Sequence, residues 1–319
     1  MTSDVEVAVI GAGQSGLTAA RALLARGISP VLLEAGPEPV GSWPHYYDSL
    51  TLFSPVAYSS MPGLAFPGHP DHYPHRDEVV SYLRRYAAGL DADIRTNTPV
   101  TAVEAHGQDG FLVRTGAGET VRTRGVVAAT GSFGHPHTPV LPGQDRFTGR
   151  VLHVASYRNP HEHAGERIVV VGAGNSAVQV GYELAQVATV SLATRHPVIF
   201  VPQCRGGQDV HLWLKTTGFD LLPPEWLRRY FGGRTVDDTG KYQHALETGQ
   251  FDRRPCSPRS TPMASSGRME PASKSTPCSS LPATVPTWTT SARWAPSTVA
   301  CRCTPVASRP PIPASSTSG

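Results

Sequence analysis

One pattern occurs twice in this chain and constrains its fold more than anything else in it. "VEVAVIGAGQSGLTAARALLARG" (5–27) passes from a β-rich run through Gly11-x-Gly13-x-x-Gly16 into an Ala/Leu-rich helical stretch. "ERIVVVGAGNSAVQVGYELAQVATVSLATR" (166–195) repeats the order as strand, Gly172-x-Gly174-x-x-Ala177, helix and strand. In such a unit the first glycine permits a tight turn, the second lets the backbone approach a pyrophosphate, and the third lets helix pack closely on strand; alanine is an allowed third residue. The helix N-terminus adds free N–H groups and a partial positive charge. The expected fold class is therefore α/β, with two Rossmann-like dinucleotide-binding domains.

The residue closing the second strand separates the two units. The first unit reaches Glu34, 23 residues after Gly11, placed to accept hydrogen bonds from a ribose. At the same offset from Gly172 the second unit has Arg195. A carboxylate repels a ribose 2′-phosphate, whereas a guanidinium pairs with it. This contrast predicts FAD at the first site and NADPH at the second. Two electron carriers in one chain point to hydride transfer from nicotinamide to flavin.

Three further stretches narrow the class. "GSWPHYYDSLTLFSP" (41–55), "VVAATGSFGHPHTPVLPG" (126–143) and "FTGRVLHVASY" (147–157) resemble segments of the flavin-containing (class B) monooxygenases. The last fits that family's Phe-x-Gly-x-x-x-His-x-x-x-Phe/Tyr fingerprint through Phe147, Gly149, His153 and Tyr157, where Baeyer–Villiger relatives carry Trp in place of Tyr157. The resemblance implies three-layer ββα domains, with the FAD domain discontinuous in sequence. It implies segments at 1–149 for FAD and 150–254 for NADP(H), and a tail at 255–319. Expected FAD contacts are Gly11, Gly13, Ser15, Gly16, Glu34, Ser42, Trp43, Thr130 and Gly131. Expected NADPH contacts are Gly172, Gly174, Asn175, Ser176, Ala177 and Arg195. It further implies that one oxygen atom of dioxygen passes to a soft nucleophile (an amine, sulfide or thiol) on a small molecule. The alternatives are an NADPH oxidase or reductase without oxygenation, or an inactive remnant. No side-chain nucleophile or acid–base pair stands out, so no catalytic residue is assigned. "TLFSP" also lacks, near Ser54, the active-site Asn of animal-type members.

Other features exclude more than they assign. No apolar run approaches the ~20 residues of a membrane span, and no basic segment precedes a long apolar one. A cytoplasmic protein is expected. His69, His72 and His75 in "HPDHYPH" are read as a solvated loop, because Pro70 and Pro74 forbid a regular helix. Just beyond it, "YPHRDEVVSYLRRYA" (73–87) is expected to form a helix capped by Asp77, with Val79, Val80, Leu83 and Tyr86 on its apolar face. No C-x-x-C occurs, which argues against a zinc site or a dithiol centre and so against a reductase of the thioredoxin-reductase kind.

From Pro255 the composition changes abruptly, to 14 Ser, 12 Pro and 9 Thr in 65 residues with no Tyr, Phe or Asp. Six of the chain's 28 Lys/Arg but one of its 25 Asp/Glu lie there, leaving 22 and 24 in the body. The body is thus slightly acidic, and the basic balance makes no case for nucleic acid. An irregular tail is expected, and a shifted reading frame explains it. In the shifted frame the first two bases of each codon become the last two of the new one. "STPCSSLPATVPTW" (275–288) can then read "VDAVLFATGYRPDL". That is a hydrophobic strand followed by a second Ala-Thr-Gly-Tyr segment, the elements with which this family re-enters its FAD domain.

Overall fold

The computed structural model describes residues 2–107, 110–141, 143–223, 225–226, 235–256 and 299–303. Most of the tail read as out of frame lies outside the described residues.

The first unit is built on β1 (Thr2–Ile10), α1 (Gln14–Leu24), β2 (Pro30–Leu33), α2 (Arg76–Ala88) and β3 (Asp93–Arg95). It continues through β4 (Val100–Ala105), β5 (Phe111–Thr115) and β6 (Thr120–Ala128). The six-stranded sheet runs β3-β2-β1-β6-β5-β4. Strands β3, β2, β1 and β6 are mutually parallel, and β4, β5 and β6 form an antiparallel meander.

Alternation along the central strands explains the layering. All four residues of β2 are buried, as a parallel strand covered on both faces requires. Val9 and Leu32 pack with Leu17 of α1 and with Val79, Leu83 and Tyr86 of α2. Their neighbours Ala8, Ile10, Val31 and Leu33 turn to the other face, against Val113 and Val121. Each large apolar side chain buried this way contributes about 1.5–3 kcal/mol.

Helix α2 corrects one expectation. Its N-cap is His75, not Asp77: His75 Nδ1 accepts from the Asp77 N–H at 3.3 Å, and Glu78 Oε2 accepts from the His75 N–H at 2.7 Å. Imidazole takes the capping position because Asp77 already lies within the first turn. The apolar face falls where the periodicity places it, with Val79, Val80, Leu83 and Tyr86 buried.

The second unit comprises β7 (Val151–His153), β8 (Arg167–Val171), α3 (Asn175–Leu184), β9 (Thr189–Thr194) and β10 (Ile199–Pro202). After these come β11 (Cys204–Arg205), β12 (Gln208–Asp209) and α4 (Val210–Thr217). Then follow β13 (Thr235–Asp238), α5 (Lys241–Glu247), β14 (Asp252–Pro255) and β15 (Val299–Cys303). Its sheet runs β14-β9-β8-β15-β7. Strands β14, β9 and β8 are parallel, while β15 pairs antiparallel with both β8 and β7. These five residues belong to the tail expected to be irregular. They occupy the edge of the apolar "RIVVV" strand, whose unpaired N–H and C=O groups take up an extended segment. Among the described residues no helix is long and apolar enough to cross a membrane.

Candidate functional site

At the C-terminal end of β1 the chain turns on Gly11, whose φ is +97°. A Cβ there would stand 2.4 Å from the Ala129 carbonyl oxygen, and one on Gly16 would stand 1.9 Å from the Gly11 carbonyl oxygen. Both contacts are with backbone, so only glycine fits. Gly13 differs: its Cβ would meet nothing closer than the Gly41 Cα, at 3.4 Å. The Gly13 and Gly41 backbones are therefore in close contact, and a Cβ on Gly41 would stand 2.9 Å from the Gly13 Cα. Helix α1 starts directly after Gly13 with no side-chain cap and no acid in its first turn. Its first N–H groups are left for an anionic group.

Glu34 is tied into this loop more firmly than its sequence position suggests. It is buried, and its two carboxylate oxygens accept from the N–H groups of Ala12 at 2.6 Å and Gly36 at 2.8 Å. One lone pair on each oxygen remains for a hydroxyl donor. Ser15 lies exposed in the first turn of α1, and Ser42 directly follows Gly41. Trp43 is half-buried 5.5 Å from the Tyr46 ring. Thr130, exposed, lies beside Gly11, whose added Cβ would be 3.4 Å from the Thr130 Cα; Gly131 follows with φ +65°. The structure thus gathers the first set of predicted residues around one loop.

The second loop repeats this geometry. Gly172 donates its N–H to Ala193 at 3.0 Å, as Gly11 donates to Leu33 at 2.8 Å. Gly174 precedes α3 with extended backbone and no side-chain cap, Ser176 is half-buried and Ala177 is fully buried. The side chain of Asn175 is turned away to Asp237: its Oδ1 accepts from the Asp237 N–H at 2.9 Å and its Nδ2 donates to the carboxylate at 3.1 Å. Burial raises the Asp237 carboxyl above its ordinary range. Arg195 is exposed directly after β9, without an ion-pair partner among the described residues. Beside it, Arg253 of β14 donates from Nε to the buried Thr194 hydroxyl at 2.7 Å. No local spacing singles out Arg253, because only the β9–β14 pairing brings it there.

Two of the four fingerprint residues at 147–157, His153 and Tyr157, have a visible structural role. His153 Nδ1 accepts from the Ala155 N–H at 3.1 Å and fixes the turn out of β7. Tyr157 is buried against Tyr47 and His163, at centroid distances of 6.2 and 6.0 Å. Burial raises its phenol well above the usual range. The next two residues clasp the first unit, Arg158 accepting at its carbonyl from the Asp48 N–H at 2.7 Å and Asn159 donating to the Asp48 carboxylate at 2.9 Å. Tyr47 donates to Gln179 and Ser49 to Glu183, joining the same loop to α3.

The histidines of the 69–75 loop also have structural employment. His72 pairs with Glu78 at 2.9 Å, and His75 Nε2 bonds the Asp48 carbonyl at 2.6 Å. Among the described residues no group of His, Cys, Asp and Glu is placed to hold a metal.

Comparison with known proteins gives consistent matches. The family profile of the pyridine nucleotide-disulphide oxidoreductases matches residues 8–217. A solved flavin-containing monooxygenase from Stenotrophomonas maltophilia is 32% identical, with a TM-score of 0.68 over 82% of this chain and 72% of that one. Indole-3-pyruvate monooxygenase YUCCA1 of Oryza sativa is 33% identical over 251 residues, covering 77% of this chain and 60% of the relative. An uncharacterized CzcO-like oxidoreductase of Geobacillus kaustophilus is 35% identical over 220 residues, covering 68% and 62%. The chain thus spans about three fifths of the length of the curated relatives it matches.

Proposed function

The chain belongs to the pyridine nucleotide-disulphide oxidoreductase family and is flavin-monooxygenase-like within it; on that premise we propose a flavoprotein monooxygenase that uses FAD and NADPH. The observation that carries the reading is the pairing of two glycine-turn sites of the same geometry, one backed by Glu34 and the other followed by Arg195. The side-chain-free backbone at Gly13 and the uncapped start of α1 suit the FAD pyrophosphate. Ser15, Gly16, Ser42, Trp43, Thr130 and Gly131 surround it, and the free lone pairs of Glu34 accept from the ribose. At the second site Gly172, Gly174 and the start of α3, with Ser176 and Ala177, hold the NADPH pyrophosphate. Arg195, with Arg253 beside it, pairs with the 2′-phosphate. Asn175 serves there by bracing the loop through Asp237. The chemistry that bound FAD and NADPH would supply is hydride reduction of the flavin and activation of dioxygen, one oxygen atom going to a soft nucleophile and the other leaving as water. The protein contributes orientation and exclusion of water. The reading includes a small-molecule substrate and a cytoplasmic location, with no nucleic-acid partner.

The test measures flavin reduction by NADPH and by NADH, then compares substrate oxygenated with hydrogen peroxide released. Faster reduction by NADPH with oxygenated product supports the reading. Stoichiometric peroxide whatever the substrate makes the protein an oxidase instead.

We also propose that residues 255–319 are read out of frame. Three segments follow for the domains: FAD binding at 1–149, NADP(H) binding at 150–254, and the altered tail. The support is the family-like "VDAVLFATGYRPDL" in the shifted frame. Sequencing the gene around codon 255 tests it, and a gene with no such alternative frame overturns it. The 319-residue polypeptide should then bind FAD weakly and lose it on purification, whereas the frame-restored product should retain it, so the reduction assay on the 319-residue chain is run with FAD added in excess.

A further inference from the structure

We infer that Gln203 and Asp209 are positioning residues that hold the second dinucleotide unit against the 53–58 loop of the first. On the first side, the loop and the strip at 70–76 are joined by backbone hydrogen bonds. Val56 and Ala57 donate to the carbonyls of His72 and Pro70, at 2.8 and 3.0 Å, and Leu52 donates to Pro74 at 2.8 Å. Together they present the Phe53 carbonyl, the Tyr58 ring and the Tyr73 hydroxyl. Each meets a group from the second unit.

Gln203 is buried, and its side-chain Nε2 donates to the Phe53 carbonyl. The Tyr73 hydroxyl donates to Asp209 Oδ2. The other oxygen of Asp209 receives the His211 N–H at 2.8 Å and the His211 ring Nδ1 at 2.7 Å, so one carboxylate starts helix α4 and fixes the imidazole. The His211 ring in turn stacks near Phe53 and Tyr58, with centroids 6.2 and 5.8 Å away and interplanar angles of 18° and 22°. Lys215 Nζ lies 5.9 Å from the Tyr58 ring centre and completes the contact.

The arrangement continues to the second glycine loop. The Gln203 N–H donates to the Asp238 carbonyl at 2.9 Å, and the adjacent Asp237 grips Asn175, the first residue of α3. Hydrogen bonds and two adjacent residues of β13 thus join the 172–175 turn to Phe53. The buried Gln203 amide and the Asp209 Oδ2, each meeting a partner from the first unit in Phe53 and Tyr73, are costly to leave without them. Their pairing therefore selects one interdomain register. The contact itself does not depend on the identity of the ligand. Its consequence, that a dinucleotide at the second site stiffens the 53–58 loop, rests on the functional reading above.

Amide hydrogen exchange on the full 319-residue chain tests both parts. In the ligand-free protein, Tyr73→Phe and Gln203→Leu should each speed exchange at Val56 and Val210 about tenfold while leaving Val9 in β1 unchanged. Asp209→Asn keeps one oxygen to accept from His211 and turns an amide N–H toward Tyr73, whose hydroxyl can accept it, so it should stay within about threefold of wild type, whereas Asp209→Ala should match the tenfold class. Exchange at Val56 and Val210 unchanged in Tyr73→Phe and Gln203→Leu overturns the positioning role. NADP+ should then slow exchange at both 174–178 and Val56 in wild type, but only at 174–178 in Gln203→Leu. Protection at 174–178 without any at Val56 in wild type overturns the coupling. No protection at 174–178 counts against the NADPH reading and leaves the ligand-free result to decide the contact.

Discussion

The two glycine turns differ most where their formulas look nearly alike. At the third position, Gly16 would drive a Cβ to 1.9 Å from a backbone oxygen, whereas Ala177 carries its Cβ fully buried. The first helix thus sits closer to its turn than the second. The ends of the two second strands differ as well. Glu34 is turned inward, bonded by Ala12 and Gly36, and Arg195 stands outward in solvent. A shared backbone device makes each turn, and in the proposed function the residue after the second strand sets which dinucleotide it suits. The third position records how tightly helix and strand are drawn together.

The largest effect should come from the close-packed position. Gly16→Ala must displace backbone and is expected to lower unfolding stability by at least about 2 kcal/mol. The reciprocal Ala177→Gly should cost only about 0.5–1 kcal/mol, as for glycine in any helix. Urea unfolding of both variants measures the asymmetry, and equal losses would mean that the two turns pack alike. Arg195→Ala comes next. Removing one charge-assisted contact of about 1.5–3 kcal/mol should weaken NADP+ binding roughly 10- to 100-fold and leave NAD+ binding nearly unchanged. Calorimetric titration reads this directly, and parallel loss for both nucleotides would place Arg195 outside the phosphate contact.

How much of this was legible depends on the range of the interaction. The turns, α1, α3 and the Glu34/Arg195 contrast follow from local spacing; the structure ties Glu34 into its loop through Ala12 and Gly36 and leaves Arg195 exposed after β9. The apolar face of α2 was legible for the same reason. Its cap was misread, because an Asp near a helix start outranks a His by propensity, and only the Glu78-to-His75 bond reveals the register. The contacts of Gln203 with Phe53 and of Tyr73 with Asp209 join residues 150 and 136 apart in the chain. No periodicity encodes such pairs; they exist only once two independently folded sheets have docked. The strand at 299–303 was illegible for another reason, since its composition matches the irregular tail around it.

The smallest effect concerns the α2 cap. Glu78 is held below the usual carboxylate range by the bond from the His75 N–H, which outweighs the opposing effect of burial, with His72 adding to it. A depressed carboxylate stabilises above its unfolded value, about 4.3, and its contribution is lost as pH falls through the lower folded value. The Tm difference between wild type and Glu78→Gln should therefore be full near neutrality and vanish in acid. A difference that grows on acidification contradicts this account of the cap.

The central claim is that one chain holds two separate dinucleotide sites of different preference. Titrating the full-length protein with NADP+ and with NAD+, each in the absence and presence of excess FAD, tests it most directly. The account predicts that NADP+ binds at least about tenfold tighter than NAD+ and that FAD does not displace it. Tighter binding of NAD+, or displacement of NADP+ by FAD, would contradict it.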